Sequence, residues 1–408
     1  MRCVSVLSTA QDPDEALKEV VALARTRLGT GTADLALIFA TAHHAEAMGR
    51  IAAEVRSQGL SRHVLGCTGE SVVGDHFEIE GKPGLALWAI GLPGCEIRPR
   101  RITHEADGFP GWSDSLPDPR NPPALIALGD PFTFPADKFL KAVNEGAPGV
   151  RVVGGMASAS QDRGGNRLIL DGEVFDDGAV AVEILGPVTL RTVVSQGCRP
   201  VGQSFIVTKA DRNIIRELGR RPALEVLREV FSQLDPDDQE RVQQGLHIGR
   251  AISEYQESFG RGDFLVRNVI GADDEGGIAI TDLIRVGQTV QFHVRDADSA
   301  DEDLRSLLEN ERLARPRSKI LGSLLFTCNG RGTRLFRAPN HDVDALHHYL
   351  GNVPVAGFFA MGELGPVGGE KFIHGFTASI VVFEMQEVGD FGQEGPLAPD
   401  ADRGEMLA

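Results

Sequence analysis

The amino-acid sequence predicts a mixed α/β protein in which repeated strand–helix–strand units form mixed sheets covered by helices. The main observation is one order that occurs three times: an apolar strand, a helix, a second strand ending in small residues, and a further apolar strand. In each repeat a leucine of the first strand precedes a glycine of the second strand by a similar distance. The distance is 31 positions from Leu35 to Gly66, 29 from Leu125 to Gly154 and 33 from Leu324 to Gly357. These lengths suit a strand–helix–strand crossover. In addition, β-rich runs between the second and third repeats predict an antiparallel meander.

The N-terminal segment and the first repeat alternate apolar strands with helices. The apolar run at 3–8 predicts a strand. Asp12 and Pro13 are typical of the first residues of a helix, which extends to Leu28. The first repeat follows as a strand at 35–41, a helix near 44–58, and strands at 64–70 and 84–91.

The second and third repeats keep this order. A Pro-rich linker at 115–123 precedes the second repeat. The second repeat is predicted to contain a strand at 124–130, a helix near 136–144 and strands at 152–158 and 178–186. The third repeat is predicted to contain a strand at 321–330, a helix near 343–350 and strands at 353–363 and 376–383. Because ligands collect at the carboxyl ends of strands in such units, the loops at 66–75, 154–165, 328–331 and 357–369 are candidate binding regions.

The region between the second and third repeats has a different pattern. It predicts strands at 188–197 and 204–210, helices at 222–234, 236–244 and 300–313, and four β-rich runs at 245–253, 263–273, 276–284 and 288–297. After Val388 the chain is acidic and rich in Gly and Pro, which predicts disorder.

Length and composition limit the classes of function. A chain of 408 residues is too long for one ordinary core and predicts two domains, or one domain plus a large duplicated partner. The formal net charge of −17 argues against nonspecific binding to nucleic acid or an anionic membrane, and there is no apolar run long enough for a membrane span. Five scattered cysteines fit neither a secreted disulfide framework nor a zinc site, and the N-terminus lacks a signal-peptide core. A cytoplasmic location is expected.

The stretch from Val353 to Phe383 combines turn glycines with one acid and one histidine between two apolar runs. We expect a loop here whose N–H groups approach a small molecule. Glu363 and His374 could form an acid–base pair, and His374 could instead bind a metal or haem iron. A tight structural turn and a hydrogen-bonded structural histidine are the competing interpretations.

The end of the preceding strand carries further candidates, since Cys328, Asn329 and Arg331 place a thiol, an amide and a guanidinium there. Arg331 could bind a ligand carboxylate at two points, or it could pair with a structural acid such as Glu363. The sequence lacks a phosphate loop, a nucleophile elbow, an HExxH helix and a Rossmann glycine motif after the first strand. No catalytic residues are predicted, and an enzyme using Glu363 with His374, or a cysteine, is an alternative.

Several stretches resemble the FIST sensory proteins. SLLFTCNGRGTRLF, VPVAGFFAMGELGPVGG and FIHGFTASIVVFE are similar to the C-terminal half of that family, and LALIFAT, VLGCTGE and VVGGMAS to its N-terminal region. The resemblance covers roughly Asp34 to Phe383. It implies a FIST N-terminal domain at 34–220 and a FIST C-terminal domain at 221–387, with the strand and helix of 1–33 joined to the first domain and 388–408 as a disordered acidic tail.

The resemblance also implies a function. It predicts a cytoplasmic protein that binds a small ligand, with amino acids or related metabolites as candidates, and that signals through a separate partner such as a histidine kinase. The residues expected nearest the ligand are Cys328, Asn329, Arg331, Glu363 and His374. One bacterial branch of the family binds haem and senses nitric oxide, so a haem sensor with His374 as axial ligand is a further alternative. No settled catalytic set comes with the family, and the cofactor, if any, stays unknown.

Overall fold

The computed structural model describes residues 3–112, 122–256, 258–260, 262–315 and 319–385. The predicted linker lies mostly outside these ranges, and the predicted disordered tail lies wholly outside them. Within them the chain is a mixed α/β protein, as predicted, with three six-stranded sheets and one seven-stranded sheet. None of the described helices is both long and apolar enough to cross a membrane.

The predicted strands and helices of the N-terminal segment and first repeat all form, together with three strands that the sequence analysis did not predict. Asp12 caps the first helix, because its side chain accepts the N–H groups of Asp14 at 2.8 Å and Glu15 at 3.1 Å. The elements are β1 (Cys3–Ser8), α1 (Pro13–Leu28), β2 (Ala33–Thr41), α2 (Met48–Ser57), β3 (Ser61–Gly69), β4 (Val72–Gly74), β5 (Phe77–Ile79), β6 (Leu85–Ile90) and β7 (Glu96–Ile102).

The second repeat and the region after it continue the chain. The second repeat consists of β8 (Ala124–Gly129), α3 (Ala136–Gly146), β9 (Arg151–Met156), β10 (Leu168–Leu170), β11 (Glu173–Phe175) and β12 (Ala179–Leu185). The intermediate region contains β13 (Val188–Gln196), β14 (Cys198–Asp211), β15 (Ile214–Leu218), β16 (Arg221–Pro222), α4 (Ala223–Gln233), α5 (Pro236–Gln244), β17 (Leu246–Ala251), β18 (Phe264–Ala272), β19 (Ile278–Ile280) and β20 (Thr289–Arg295).

The third repeat follows a long helix. Its elements are α6 (Ala297–Ala314), β21 (Ile320–Cys328), α7 (His341–Leu350), β22 (Val355–Ala360), β23 (Glu363–Val367), β24 (Glu370–His374) and β25 (Thr377–Met385). The stretch at 357–369, predicted as a loop, is instead the end of β22 followed by a hairpin of β23 and β24. Gly368 and Gly369, with φ of +59° and +87°, form the hairpin turn, where the left-handed region favours glycine.

The three repeats share one strand order. In each repeat the first two strands run parallel, as β2–β3, β8–β9 and β21–β22. The last strand lies antiparallel on the other side of the first, as β6–β2, β12–β8 and β25–β21. One more strand, β1, β7 or β13, pairs antiparallel with that last strand at the edge of the sheet. The sequence repetition therefore corresponds to a structural repetition.

The hairpins of the three repeats are exchanged in a cycle. The β4–β5 hairpin of the first repeat extends the third sheet through β22, and the β10–β11 hairpin of the second extends the first sheet through β3. The β23–β24 hairpin of the third repeat extends the second sheet through β9. Each six-stranded sheet is thus completed by a hairpin from another repeat, and the sheets enclose a shared core in which Phe39 stacks on Phe358 with ring centroids 5.3 Å apart.

The intermediate region contains the predicted antiparallel meander as β17–β18–β19, but the fourth run, β20, does not continue it and the region closes into a barrel. Strand β20 lies between β14 and β17 instead of beside β19, and β14 also pairs with β15, which closes a ring of six strands. Closure pairs both edges of the sheet, which leaves no long open edge to associate with other chains. Ile248, Phe292 and Val294 fill the barrel with α4 packed against it.

Candidate functional site

A cleft of about 360 Å³ opens where the β23–β24 hairpin, the ends of β21 and β22, and barrel strand β18 meet. We call it the hairpin cleft. Cys328 and Asn329 contribute the end of β21, Ala360 the end of β22, and Ile373 and His374 the hairpin. Its volume is within the range of small-molecule sites, and its position at the carboxyl ends of two parallel strands is typical of α/β ligand sites.

The structure brings three of the five predicted residues into the lining of this cleft. Cys328, Asn329 and His374 line it. Arg331 and Glu363 are 1% and 0% exposed, and they lie among buried residues outside the lining. The predicted group is therefore divided into three residues that line the cleft and two that lie outside its lining.

Asn329 has an unused hydrogen-bond acceptor. Its backbone is fixed, because its N–H donates to the Ala360 carbonyl at 3.1 Å and its carbonyl accepts from Arg334 Nη1 at 2.9 Å. Its side-chain Oδ1 is buried and has no hydrogen-bond partner among the residues that the structure describes. A buried acceptor without a partner costs free energy, so a donor supplied by a ligand would be favourable here.

His374 has a defined tautomer. Its Nε2 lies 3.0 Å from the Gly365 carbonyl, which can only accept, so Nε2 carries the hydrogen and Nδ1 the lone pair in the neutral ring. Burial lowers the pKa of His374 to about 4, which keeps the ring neutral near pH 7. A haem iron bound through Nε2 does not fit this hydrogen bond. Across the described ranges no group of three or more His, Cys, Asp or Glu side chains could hold a metal ion.

Glu363 makes contacts of its own and is not hydrogen-bonded to His374. The hairpin places the two residues opposite each other, but Glu363 Oε2 accepts from Thr377 Oγ1 at 2.7 Å and from the Thr377 N–H at 3.2 Å. Burial raises the pKa of Glu363 to about 8, so its carboxyl is protonated near pH 7. The predicted acid–base pair is therefore absent from this geometry.

Arg331 pairs with an acid that the sequence analysis did not consider. Its Nε and Nη2 donate to the two carboxylate oxygens of Asp342, each at 2.8 Å, so Arg331 pairs with a structural acid, as one of the two interpretations expected, but that acid is Asp342 and not Glu363. Thr327 Oγ1 donates to the same carboxylate at 2.7 Å. The two-point face of the guanidinium that would bind a ligand carboxylate is used by Asp342.

A residue from the first repeat completes this buried cluster. Glu78 Oε1 accepts the N–H groups of Asp342 and Val343, both at 2.9 Å, at the start of α7. Burial, together with the nearby charge of Asp342, raises the pKa of Glu78 to about 8. The position of Asp342 directly before the predicted helix was a sequence signal for this acid, but nothing in the sequence indicates Glu78, which is 264 residues away.

Cys328 is a poor candidate for a nucleophile. Burial, with a further contribution from Glu363, raises the pKa of its thiol to about 12. Because the thiolate is the reactive form, a thiol in this state is inert. All five cysteines of the chain are free.

The barrel supplies lining residues that the sequence analysis missed. Arg267 on β18 donates from Nη1 to the Ile373 carbonyl at 3.2 Å and from Nε to Asp282 at 3.2 Å. It thereby attaches the barrel to the hairpin at the cleft. In the sequence it is one charged residue within an apolar strand, so no local signal marks it as a site residue.

The comparisons with known proteins cover nearly the whole chain. Residues 34–221 match the FIST N domain and residues 223–366 match the FIST C domain, so the boundary between the matches falls inside the barrel. The chain is 40% identical over 386 residues to the uncharacterized protein Rv0628c of Mycobacterium tuberculosis, covering 94% of this chain and 100% of that protein. It is 37% identical over 385 residues to the uncharacterized protein Mb0898c of Mycobacterium bovis, covering 94% and 99%.

Proposed function

The chain belongs to the FIST family, whose domains are generally associated with small-ligand sensing in signal transduction, and from this premise we propose that it binds a small polar ligand in the hairpin cleft. The observation that carries the proposal is the buried, unpartnered Oδ1 of Asn329, a residue that lines that cleft. Such an acceptor favours a ligand that donates hydrogen bonds.

The cleft supports a ligand with a donor group, such as the ammonium of an amino acid or a related metabolite. Asn329 Oδ1 is one acceptor, and the lone pair on Nδ1 of His374 is a second. Because the His374 ring is neutral near pH 7, it does not repel a cationic ammonium.

We further propose that the hairpin transmits the bound state to a separate protein, such as a histidine kinase. Its residues Ile373 and His374 line the cleft, whereas its Glu363 and Leu364 pair with β9 of the second repeat. A ligand that contacts the hairpin therefore contacts an element shared between two repeats and held by the barrel through Arg267.

The first test is mass spectrometry of small molecules released by denaturing the purified full chain, followed by calorimetric titration of the identified molecule. We expect the molecule to be recovered unchanged after incubation, whereas conversion would indicate an enzyme. An absorption spectrum checks the haem alternative, since a haem protein has a Soret band.

The second test assigns the binding to the cleft. Asn329→Ala is expected to weaken binding about 5- to 150-fold, the effect of losing a hydrogen bond to a buried group. Asn352→Ala is the matched control, because Asn352 is exposed and outside the cleft lining. Equal affinities of the two variants, or no bound molecule and no amino-acid binding by the parent, would contradict the proposal.

A further inference from the structure

A second cavity, of about 760 Å³, lies between the barrel, the first turn of α6 and the segment that follows β21. We call it the arginine cleft, because five arginines line it together with three aspartates. This composition is unusual for a chain with a formal net charge of −17. The five are Arg241, Arg295, Arg305, Arg334 and Arg337.

Three of these arginines already have carboxylate partners. Arg241 lies 3.3 Å from Asp296, and Arg305 lies 2.7 Å from Asp301 one turn away on α6. Arg334 pairs with Glu70 of the first repeat. Their charges are compensated within the protein, so they shape the cleft without requiring an external anion.

The other two arginines lack such compensation. No carboxylate of the described residues lies within 4.0 Å of the guanidinium of Arg295 or Arg337. Arg295 Nη2 donates to the neutral Gly330 carbonyl, and its guanidinium lies 5.8 Å from the centroid of the Phe376 ring. Arg337 is exposed. The cleft therefore presents two arginines without a carboxylate partner and one aspartate, Asp298, without a salt bridge in the described residues, which leaves an excess of positive charge in the lining.

We propose that the arginine cleft binds a small phosphorylated molecule through Arg295 and Arg337. A phosphate monoester carries about two negative charges near pH 7, whereas a single carboxylate carries one. The planar guanidinium matches the spacing of phosphate oxygens, which makes arginine a preferred residue for phosphate recognition. Leu335 and Phe336 add an apolar wall against which the organic part of the molecule can pack. The site is separate from the hairpin cleft.

The test is calorimetric titration of the full chain with pyrophosphate at low salt, with acetate as the monocarboxylate comparison. One pyrophosphate is expected to bind per chain, at least about tenfold more tightly than acetate, and more weakly as salt is added. Arg337→Gln is expected to weaken pyrophosphate binding about tenfold, the effect of one charge-assisted hydrogen bond. This variant removes no salt bridge of the described residues, and Arg337 is exposed, so we expect the fold to be unchanged.

Two controls make the result decisive. Arg228→Gln removes another exposed arginine, on α4 and outside the cleft lining, and should bind pyrophosphate as the parent does. Asn329→Ala, which tests the hairpin cleft, should also leave pyrophosphate binding unchanged, so the two proposals fail independently. No pyrophosphate binding, equal binding of acetate, or equal affinity of the Arg337 and Arg228 variants would overturn the inference.

Discussion

Arg331 and Asp342 form a two-point ion pair, with both hydrogen bonds at 2.8 Å and both side chains 1% exposed. Burial acts to raise the pKa of Asp342, but the charge and hydrogen bonds of Arg331 outweigh it and hold that pKa well below its usual range. The pair connects the turn after β21 to the first turn of α7. Because Arg331 lies two residues after Asn329, the pair fixes the backbone next to a residue that lines the hairpin cleft.

Removing one partner of this pair should be costly. Arg331→Met leaves a buried carboxylate without its counter-charge, and we expect a loss of about 3–5 kcal/mol in the free energy of unfolding, measured by urea denaturation. Arg331→Lys keeps the charge without the planar fork and should fall between the parent and Arg331→Met. The control is Arg305→Met, which removes the more exposed pair with Asp301 and should cost less than about 1 kcal/mol. Similar losses for Arg331→Met and Arg305→Met would show that burial adds nothing to the Arg331 pair.

Glu363 should make the protein less stable as the pH rises. Folding raises its pKa from 4.5 to about 8, so the folded chain binds more protons than the unfolded chain between these values. The free energy of unfolding therefore falls as the pH rises through this window, by about 1.4 kcal/mol per pH unit from this group. Glu363→Gln removes the titration and retains an acceptor for Thr377.

The stability of Glu363→Gln relative to the parent should therefore increase between about pH 5.5 and pH 7.5. Urea denaturation at several pH values measures this difference. Glu370→Gln, at the exposed turn of the same hairpin, should show no such trend. A constant difference between Glu363→Gln and the parent would mean that Glu363 is ionised throughout.

His374 should make the protein less stable as the pH falls. Folding lowers its pKa from 6.5 to about 4, so the unfolded chain binds the extra proton first and stability is lost as the pH falls below about 6.5. His374→Gln keeps a donor for the Gly365 carbonyl without titrating. Between pH 6.5 and about pH 5, the free energy of unfolding of His374→Gln should fall less than that of the parent, by up to about 2 kcal/mol.

Denaturation at these pH values, with the exposed His43→Gln as control, measures the difference. NMR titration of the His374 ring gives an independent check. A ring that protonates near pH 6.5 in the folded protein would refute the prediction.

Gly357 should tolerate no side chain. A Cβ atom at this position would lie 1.7 Å from the Leu325 carbonyl oxygen on the neighbouring parallel strand. Backbone cannot move aside as a flexible side chain can, so Gly357→Ala should cost at least about 3 kcal/mol, the upper part of the range for overpacking. Gly271→Ala, with no atom within 4 Å of the added Cβ, is the control and should leave the melting temperature nearly unchanged. A mild effect at Gly357 would show that β21 and β22 can separate.

The same close approach explains why the repeat is visible in the sequence. The corresponding Cβ positions at Gly66 and Gly154 would lie 2.5 Å from the Ile38 carbonyl oxygen and 1.9 Å from that of Ala127. In all three repeats a glycine is needed where the second strand packs against the first. A local steric requirement therefore leaves a regular mark on the sequence, and this mark is sufficient to identify the strand–helix–strand units.

The order of the strand–helix–strand units was determined by the sequence, because apolar periodicity, caps and turn residues act over a few positions. The partners of those elements were not. The hairpin of Glu363 and His374 was mistaken for a loop because its first strand pairs with β9, more than 200 residues earlier in the chain. Likewise Glu78 reaches α7 across 264 residues, and β20 enters the barrel between strands that precede it. Such contacts depend on which buried surfaces and hydrogen-bonding edges meet in three dimensions, and the tertiary structure alone decides them.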